Sequence, residues 1–345
     1  MTGFLEKNLA ALNGHQPHIV QVILKTPRDE NFQVSKSEDG GHVFLVKQGN
    51  QYTAISHLEN AVDLAKQFVD QKIATDPGNR PFFFAGIRGG YEIIEMLRRL
   101  ANRRDYESLQ AVYVYEENVD LLHLNLFVFD WTPWIESRQI YFFAGPDAAN
   151  QCLDHFRNDL SKSLPDGVIP LGPQDMGQRA ASAVAQATKT VLDQAMAQKN
   201  ELVKLYGELP KIDLASAYFD PSQLRILLIN NIRTYFVQYS IRDSRQALEK
   251  LGCVTGVLEE KNPVDKITGP EILDSLWKFQ PHGVVFVDHA RHESSRFFVH
   301  GLPYFAFMQD YKPEYLTDDK AKQLTPYDLF IGNMDYFVTA GFPAR

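Results

Sequence analysis

A strand–loop–helix unit of the kind that binds nucleotides opens twice in this chain, and that repetition constrains the fold more than any other feature. The first opening is Pro81-Phe82-Phe83-Phe84-Ala85-Gly86-Ile87-Arg88-Gly89-Gly90-Tyr91, which runs into the helical pattern Glu92 to Leu100. The second is Leu224-Arg225-Ile226-Leu227-Leu228-Ile229-Asn230-Asn231, followed by Asp243 through Gly252. In each, a short apolar run ends in a loop that hands over to an amphipathic segment. Such units build parallel sheets and place ligands at the sheet's carboxyl edge.

A chain of 345 residues exceeds one ordinary core, so two or three domains are expected. A hydrophobic fraction of 44% is that of a packed globular protein. The formal charge of -8 argues against a nucleic-acid partner, and no Lys/Arg-rich run opposes it. Cys152 and Cys253 are the only cysteines and fall in different expected domains, whereas secreted scaffolds use more at tighter spacing. The amino terminus carries Glu6 and Lys7 inside its apolar pattern and lacks a signal-peptide core. The longest apolar runs, such as Leu121 to Trp131, are too short for a membrane span. A cytoplasmic protein is the expectation.

Up to Glu59 the pattern mixes a short helix with hairpin signals, with strands at Phe32 to Ser35, Val43 to Val46 and Gln51 to Ile55 forming a small β cap. From Asn60 the period becomes helical, with Ala61, Leu64, Ala65, Phe68 and Val69 on one face. Strands at Phe82 to Phe84, Leu109 to Tyr115 and Gln139 to Phe143 then alternate with helices, which is half of a doubly wound sheet. Pro170 to Pro173 punctuates the domain end, and Val184, Ala187, Val191, Ala195, Leu202 and Leu205 mark one long alanine-rich helix. Strands and helices alternate again from Ser222, with strands at Leu224 to Ile229, Val254 to Glu259, Gly283 to Val287, Tyr304 to Phe307 and Leu329 to Ile331. The fold class expected is α/β: two Rossmann-like parallel-sheet domains joined by a long helix, with a small N-terminal β cap. The boundaries are 1–59 for the helix and cap, 60–170, 171–221 for the connector, and 222–345.

Chemistry is expected at the strand ends. Gly86-Ile87-Arg88-Gly89-Gly90 lets backbone N–H groups approach an anion, with the next helix adding its positive end and Arg88 a phosphate contact. Glu116 or Glu117, after the next strand, stands where an acid would hold a ribose. The same glycines would equally serve a tight turn. Asp288-His289-Ala290-Arg291-His292-Glu293 follows a buried strand and offers a base in His289, but two histidines four apart on a helix, the zinc-protease spacing, are missing. A polar binding loop fits it better than a metal centre. Asp310 ends another strand and would meet a substrate hydroxyl, whereas Asp243 suits a helix start. Trp131 and Trp134 fit core packing better than a sugar platform. Ser56-His57 has no acid at helpful spacing and no Gly-x-Ser-x-Gly elbow exists, so a serine hydrolase has no support.

From about Phe32 to Phe156 the chain resembles the Maf/MptE-like glycosylation-associated proteins. The resemblance lies in the cap strands, Ile55-Ser56-His57, Ala85 to Tyr91, Val112-Tyr113-Val114-Tyr115-Glu116 and Phe143-Ala144-Gly145-Pro146-Asp147. It implies a Rossmann-like core linked to nonulosonate transfer onto flagellins, or to pterin diphosphate synthesis. From Leu224 the chain resembles the amino-terminal half of CgeB-like, GT-B-type glycosyltransferases, in Arg225 to Ile229, Asp243 through Gly252, Val287 to Glu293 and Leu302 to Asp310. That half usually receives the acceptor, and the sugar-nucleotide half that normally follows is not in this sequence. The expectation is a glycosyltransferase or glycosylation-associated protein, incomplete without a C-terminal donor domain. It would transfer a sugar from a nucleotide donor to a hydroxyl. Catalysis would rest on His289 as base, with Asp288 and Asp310 beside the acceptor. Gly86, Arg88, Gly89, Gly90 and Glu116 would hold the nucleotide. A nucleotide sugar is the expected donor substrate, no certain cofactor and no metal are expected, and the expected partner is a protein or glycan acceptor. Two alternatives stand: a non-catalytic module that binds an acceptor or partner, and an S-adenosylmethionine-dependent methyltransferase. The acid that often precedes the glycine loop of the latter is replaced here by Phe84-Ala85.

Overall fold

The computed structural model describes residues 3–38, 40–74, 80–102, 109–208, 220–230, 235–289, 291, 296–299, 301–308 and 328–331. The chain divides into two compact units, one drawn from residues 1–159 and 163–189 and the other from 160–162 and 190–345. The architecture is mixed α/β, as the alternating pattern requires.

The first unit holds two sheets. Strands β1 (Phe32–Lys36), β2 (His42–Gln48) and β3 (Gln51–Ala54) form the expected antiparallel cap. The second sheet is parallel, built from β4 (Phe82–Ala85), β5 (Val112–Glu116), β6 (Ile140–Ala144) and β7 (Ile169–Pro170), in the order β6-β5-β4-β7. Every residue of β4, β5 and β6 is buried, which is why these strands read as unbroken apolar runs and not as alternations. Strand β7 departs from the three strands expected. Two residues ending in proline carry no periodicity to read, and proline is tolerated there because the strand lies at the sheet's edge. Its presence matters, because order 3-2-1-4 sets a topological switch point between β4 and β7.

Helices α1 (Leu5–His15) and α2 (Pro17–Lys25) precede the cap. Pro17 separates them by disfavouring helical backbone at Gln16, which sits at φ -140°, ψ 59°. Both are anchored on the parallel sheet's layer by side-chain amides. Asn8, fully buried, donates to the carbonyls of Leu126 and Phe129, both at 2.7 Å, and accepts from the Trp131 N–H at 2.9 Å. Gln16 donates to the Ile140 carbonyl at 3.0 Å and accepts from the Phe142 N–H at 2.7 Å. Further along β6, Gln151 accepts from the Ala144 N–H and donates to its carbonyl, at 2.9 and 2.8 Å. Asn8→Ala is expected to destabilise the first unit by about 2 kcal/mol, since it strands two buried backbone groups and a part-buried one at once. Urea unfolding followed by Trp131 and Trp134 fluorescence checks this, and an unchanged midpoint would refute it.

Helices α3 (Ala61–Ala74), α4 (Tyr91–Asn102), α5 (Val119–Val128), α6 (Thr132–Glu136) and α7 (Ala148–Asn158) complete the unit. The alanine-rich segment forms one helix, α8 (Gln174–Glu208). Its Met176, Ala180, Ala183, Val184 and Ala187 are buried in the first unit, and Ala195 and Leu202 in the second.

The second unit is a five-stranded parallel sheet of β8 (Arg225–Asn230), β9 (Val254–Glu259), β10 (Gly283–Val287), β11 (Tyr304–Phe307) and β12 (Asp328–Ile331), ordered β12-β11-β10-β8-β9. This is the flavodoxin-like order, with its switch point between β8 and β10. Helices α9 (Tyr235–Lys250) and α10 (Gly269–Phe279) belong to it. Ile226, Leu228 and Val287 pack with Val237 and Ile241 of α9, while Leu227, Ile229 and Val284 pack with Ile272 and Leu276 of α10. A buried ion pair joins Lys162 to Asp265, whose second oxygen accepts from Asn262 Nδ2 at 2.7 Å. The Ser161 carbonyl accepts from the Lys266 N–H at 2.9 Å, and the Leu160 carbonyl from the Thr268 hydroxyl at 2.6 Å. Residues 160–162 thereby join the second unit. No helix among the described residues is long and apolar enough to cross a membrane.

Candidate functional site

The carboxyl ends of β4, β5 and β7 surround a cavity of about 490 Å³, a size suited to a small organic ligand. It lies at the switch point that β7 creates. Phe32 and Val46 of the cap, with Ile55 and Leu121, form an apolar wall. Arg88, Glu116, Glu117, Asn118, Asp175 and Arg179 supply the polar groups.

The loop after β4 owes its shape to its glycines. Gly86 has φ 106°, and a Cβ there would lie 2.5 Å from the Gly172 nitrogen, so the ends of β4 and β7 can meet only without a side chain. Gly90 has φ 76°, a Cβ would stand 2.4 Å from Asn125 Oδ1, and its N–H donates to the Ile87 carbonyl. Between them Arg88 takes a left-handed backbone, φ 46°, held by Asn125 Nδ2 donating to its carbonyl at 2.9 Å. Of the five residues expected to hold a nucleotide, Arg88 and Glu116 line the cavity. Gly86, Gly89 and Gly90 shape the loop instead.

Glu116 is 3% exposed. Its Oε2 accepts from the Ile87 N–H at 2.9 Å and its Oε1 from the Asn118 N–H at 2.8 Å, so the carboxyl group staples the loops after β4 and β5 together. Burial pushes its pKa up to about 7, against the opposing pull of those two N–H donors. Its neighbour Glu117 behaves oppositely: a two-pronged contact with Arg179, at 2.7 and 2.6 Å, holds its carboxyl below the usual range. Arg179 also bonds Asp175 at 2.9 Å, so its charge is matched within the protein. Arg88 differs. Its ion pair with Glu92 is long, at 3.9 Å, and among the described residues its guanidinium makes no side-chain hydrogen bond.

Arg179 and Asp175 were not legible as site residues in the sequence, because β7 and the start of α8 bring them to the cavity from about sixty residues beyond Glu117. His57, which has no acid at helpful spacing in the chain, finds Glu92 in space at 3.7 Å. Ser56 Oγ accepts from the Phe44 N–H, which ties the segment after β3 to β2. Trp131 is fully buried, with Nε1 donating to the Asn125 carbonyl, as core packing requires.

In the second unit Asp288 lies just past β10, buried, with φ 56°, its N–H donating to the Phe307 carbonyl. His289 stacks on Phe286 with ring centroids 4.5 Å apart. Arg291 is structural: it bonds Asp328 and the carbonyls of Val299 and Leu302. His292, Glu293 and Asp310 lie outside the described residues. Among the described residues, no three His, Cys, Asp or Glu side chains gather as a metal site.

A parallel sheet in the order 3-2-1-4, with a cavity at its switch point, makes the first unit Rossmann-like. Residues 30–165 match the family model of the glycosyltransferase Maf N-terminal domain, which supports a glycosylation-related role. The match takes in the cap and the β4, β5 and β6 loops, while the Leu171 to Arg179 wall of the cavity lies beyond it. No curated protein and no solved structure matches the chain.

Proposed function

We propose that the first unit binds the nucleotide part of an activated sugar and that the protein serves in glycosylation. The observation that carries this reading is the Arg88 guanidinium, held only by a long ion pair with Glu92 at 3.9 Å, beside a cavity at the β4/β7 switch point. The apolar wall of Phe32, Val46, Ile55 and Leu121 takes the base, and Arg88 takes the phosphate oxygens. Glu116 is a positioning residue, because both its oxygens already accept from the loops that frame the cavity.

In this reading the second unit serves the acceptor, with Asp288 and His289 at the end of β10 and His289 as the base that takes the acceptor hydroxyl's proton. That is the role the GT-B-like resemblance implies.

Calorimetric titration with CMP, UDP, GDP and their sugar conjugates tests the pocket. At least one is expected to bind, and Arg88→Ala is expected to weaken it by at least about tenfold, or about 1.4 kcal/mol. Binding of S-adenosylmethionine alone would point to a methyltransferase. Failure of every nucleotide, or an Arg88→Ala variant that binds like the parent, would overturn the assignment and leave a partner-binding module.

A further inference from the structure

The second sheet has its own switch point, between β8 and β10, and Asn230 is the last residue of β8. Asn230 is 8% exposed, and among the described residues its Oδ1 has no hydrogen-bond partner. Its Nδ2 donates to Glu259 Oε2 at 3.4 Å, across the register pair that ends β8 and β9. This contact, long for a hydrogen bond, favours the orientation that turns Nδ2 toward Glu259. Turning it over would set a carbonyl oxygen against the carboxylate. The unmet group is therefore an acceptor, and beside it stands the solvent-facing carboxylate of Glu259. Asp288 adds another carboxylate at the same sheet edge, just past β10.

Buried acceptors are almost always satisfied, and a switch point is where a ligand can supply a missing donor. Acceptors alone would repel phosphate. They call for a ligand that presents several O–H donors. We propose that the second unit binds a polyhydroxylated ligand of the sugar class at the carboxyl edge of its sheet, with Asn230 Oδ1 and the Glu259 carboxylate each accepting from a sugar hydroxyl. This site is separate from the nucleotide pocket and rests on the glycosylation reading only for the choice of sugars as probes.

Saturation-transfer NMR on the full chain with D-glucose, D-galactose and N-acetylglucosamine, and with putrescine as an amine donor, tests it. At least one sugar is expected to bind, and Glu259→Ala and Asn230→Leu are each expected to weaken it by about tenfold or more. Glu259 is exposed, so its replacement keeps the test sound even where Asn230→Leu fails to fold. Binding by none of the sugars, or equal binding by both variants, would overturn the proposal. So would loss of sugar binding in Arg88→Ala alone, or a preference for putrescine. Nucleotide titration of the same variants reads the first pocket, so failure of one site does not pass for failure of the other.

Discussion

Replacing Asp265 with alanine is expected to destabilise the second unit by about 3–5 kcal/mol, the usual consequence of stranding one member of a buried ion pair. Lys162 and Asp265 side chains are 5% and 2% exposed, so neither charge has water to fall back on. The loss would spread locally. Asn262 would lose the partner of its Nδ2 while its Oδ1 still accepts from the Val264 and Asp265 N–H groups. Hydrogen exchange of the β10 amides, compared between parent and variant, measures the change. Adding Lys162→Met should recover most of it, because it removes the buried charge that Asp265 balanced. A single variant as stable as the parent, or a double variant no better than the single, would show that the pair does not hold residues 160–162 in place.

The second large effect depends on pH. The folded-state pKa of Glu116, about 7, lies above the ordinary 4.5, so the fold prefers the protonated acid. The stabilisation this confers is fully present below about pH 4.5 and is lost as pH rises through 7, on the order of 3 kcal/mol in all. Glu116→Gln carries no charge at any pH and imitates the protonated acid. The stability difference between parent and variant should therefore shift by that amount, in the variant's favour, between pH 4.5 and pH 8.5. Urea unfolding at several pH values, followed by Trp131, reads it. Parallel curves would mean that the carboxylate is better solvated than its burial indicates.

These residues illustrate what a sequence shows and what it hides. The strands β4, β5 and β6 were legible because burial on both faces demands continuous apolar runs, and α8 because its buried residues recur at helical spacing. Arg88 and Glu116 were legible from their positions just after strands. Strand β7 was hidden because two residues have no period, and with it the switch point and the Arg179 wall. Neither the Lys162–Asp265 pair nor the amide of Asn230 left a local signal, since each depends on a partner far along the chain. Strand ends can be read from pattern. What surrounds them depends on tertiary pairing.

Strand β6 ends its sheet, and an outermost strand with bare N–H and C=O groups is a template on which another chain can assemble. Here Ile140, Phe142 and Ala144 turn those groups outward, and Gln16 and Gln151 answer them in place of a further strand. Two glutamines thus close the boundary against foreign chains. Gln16 lies far ahead of β6 in the sequence, so the closing of this edge depends on a residue remote from the strand it protects.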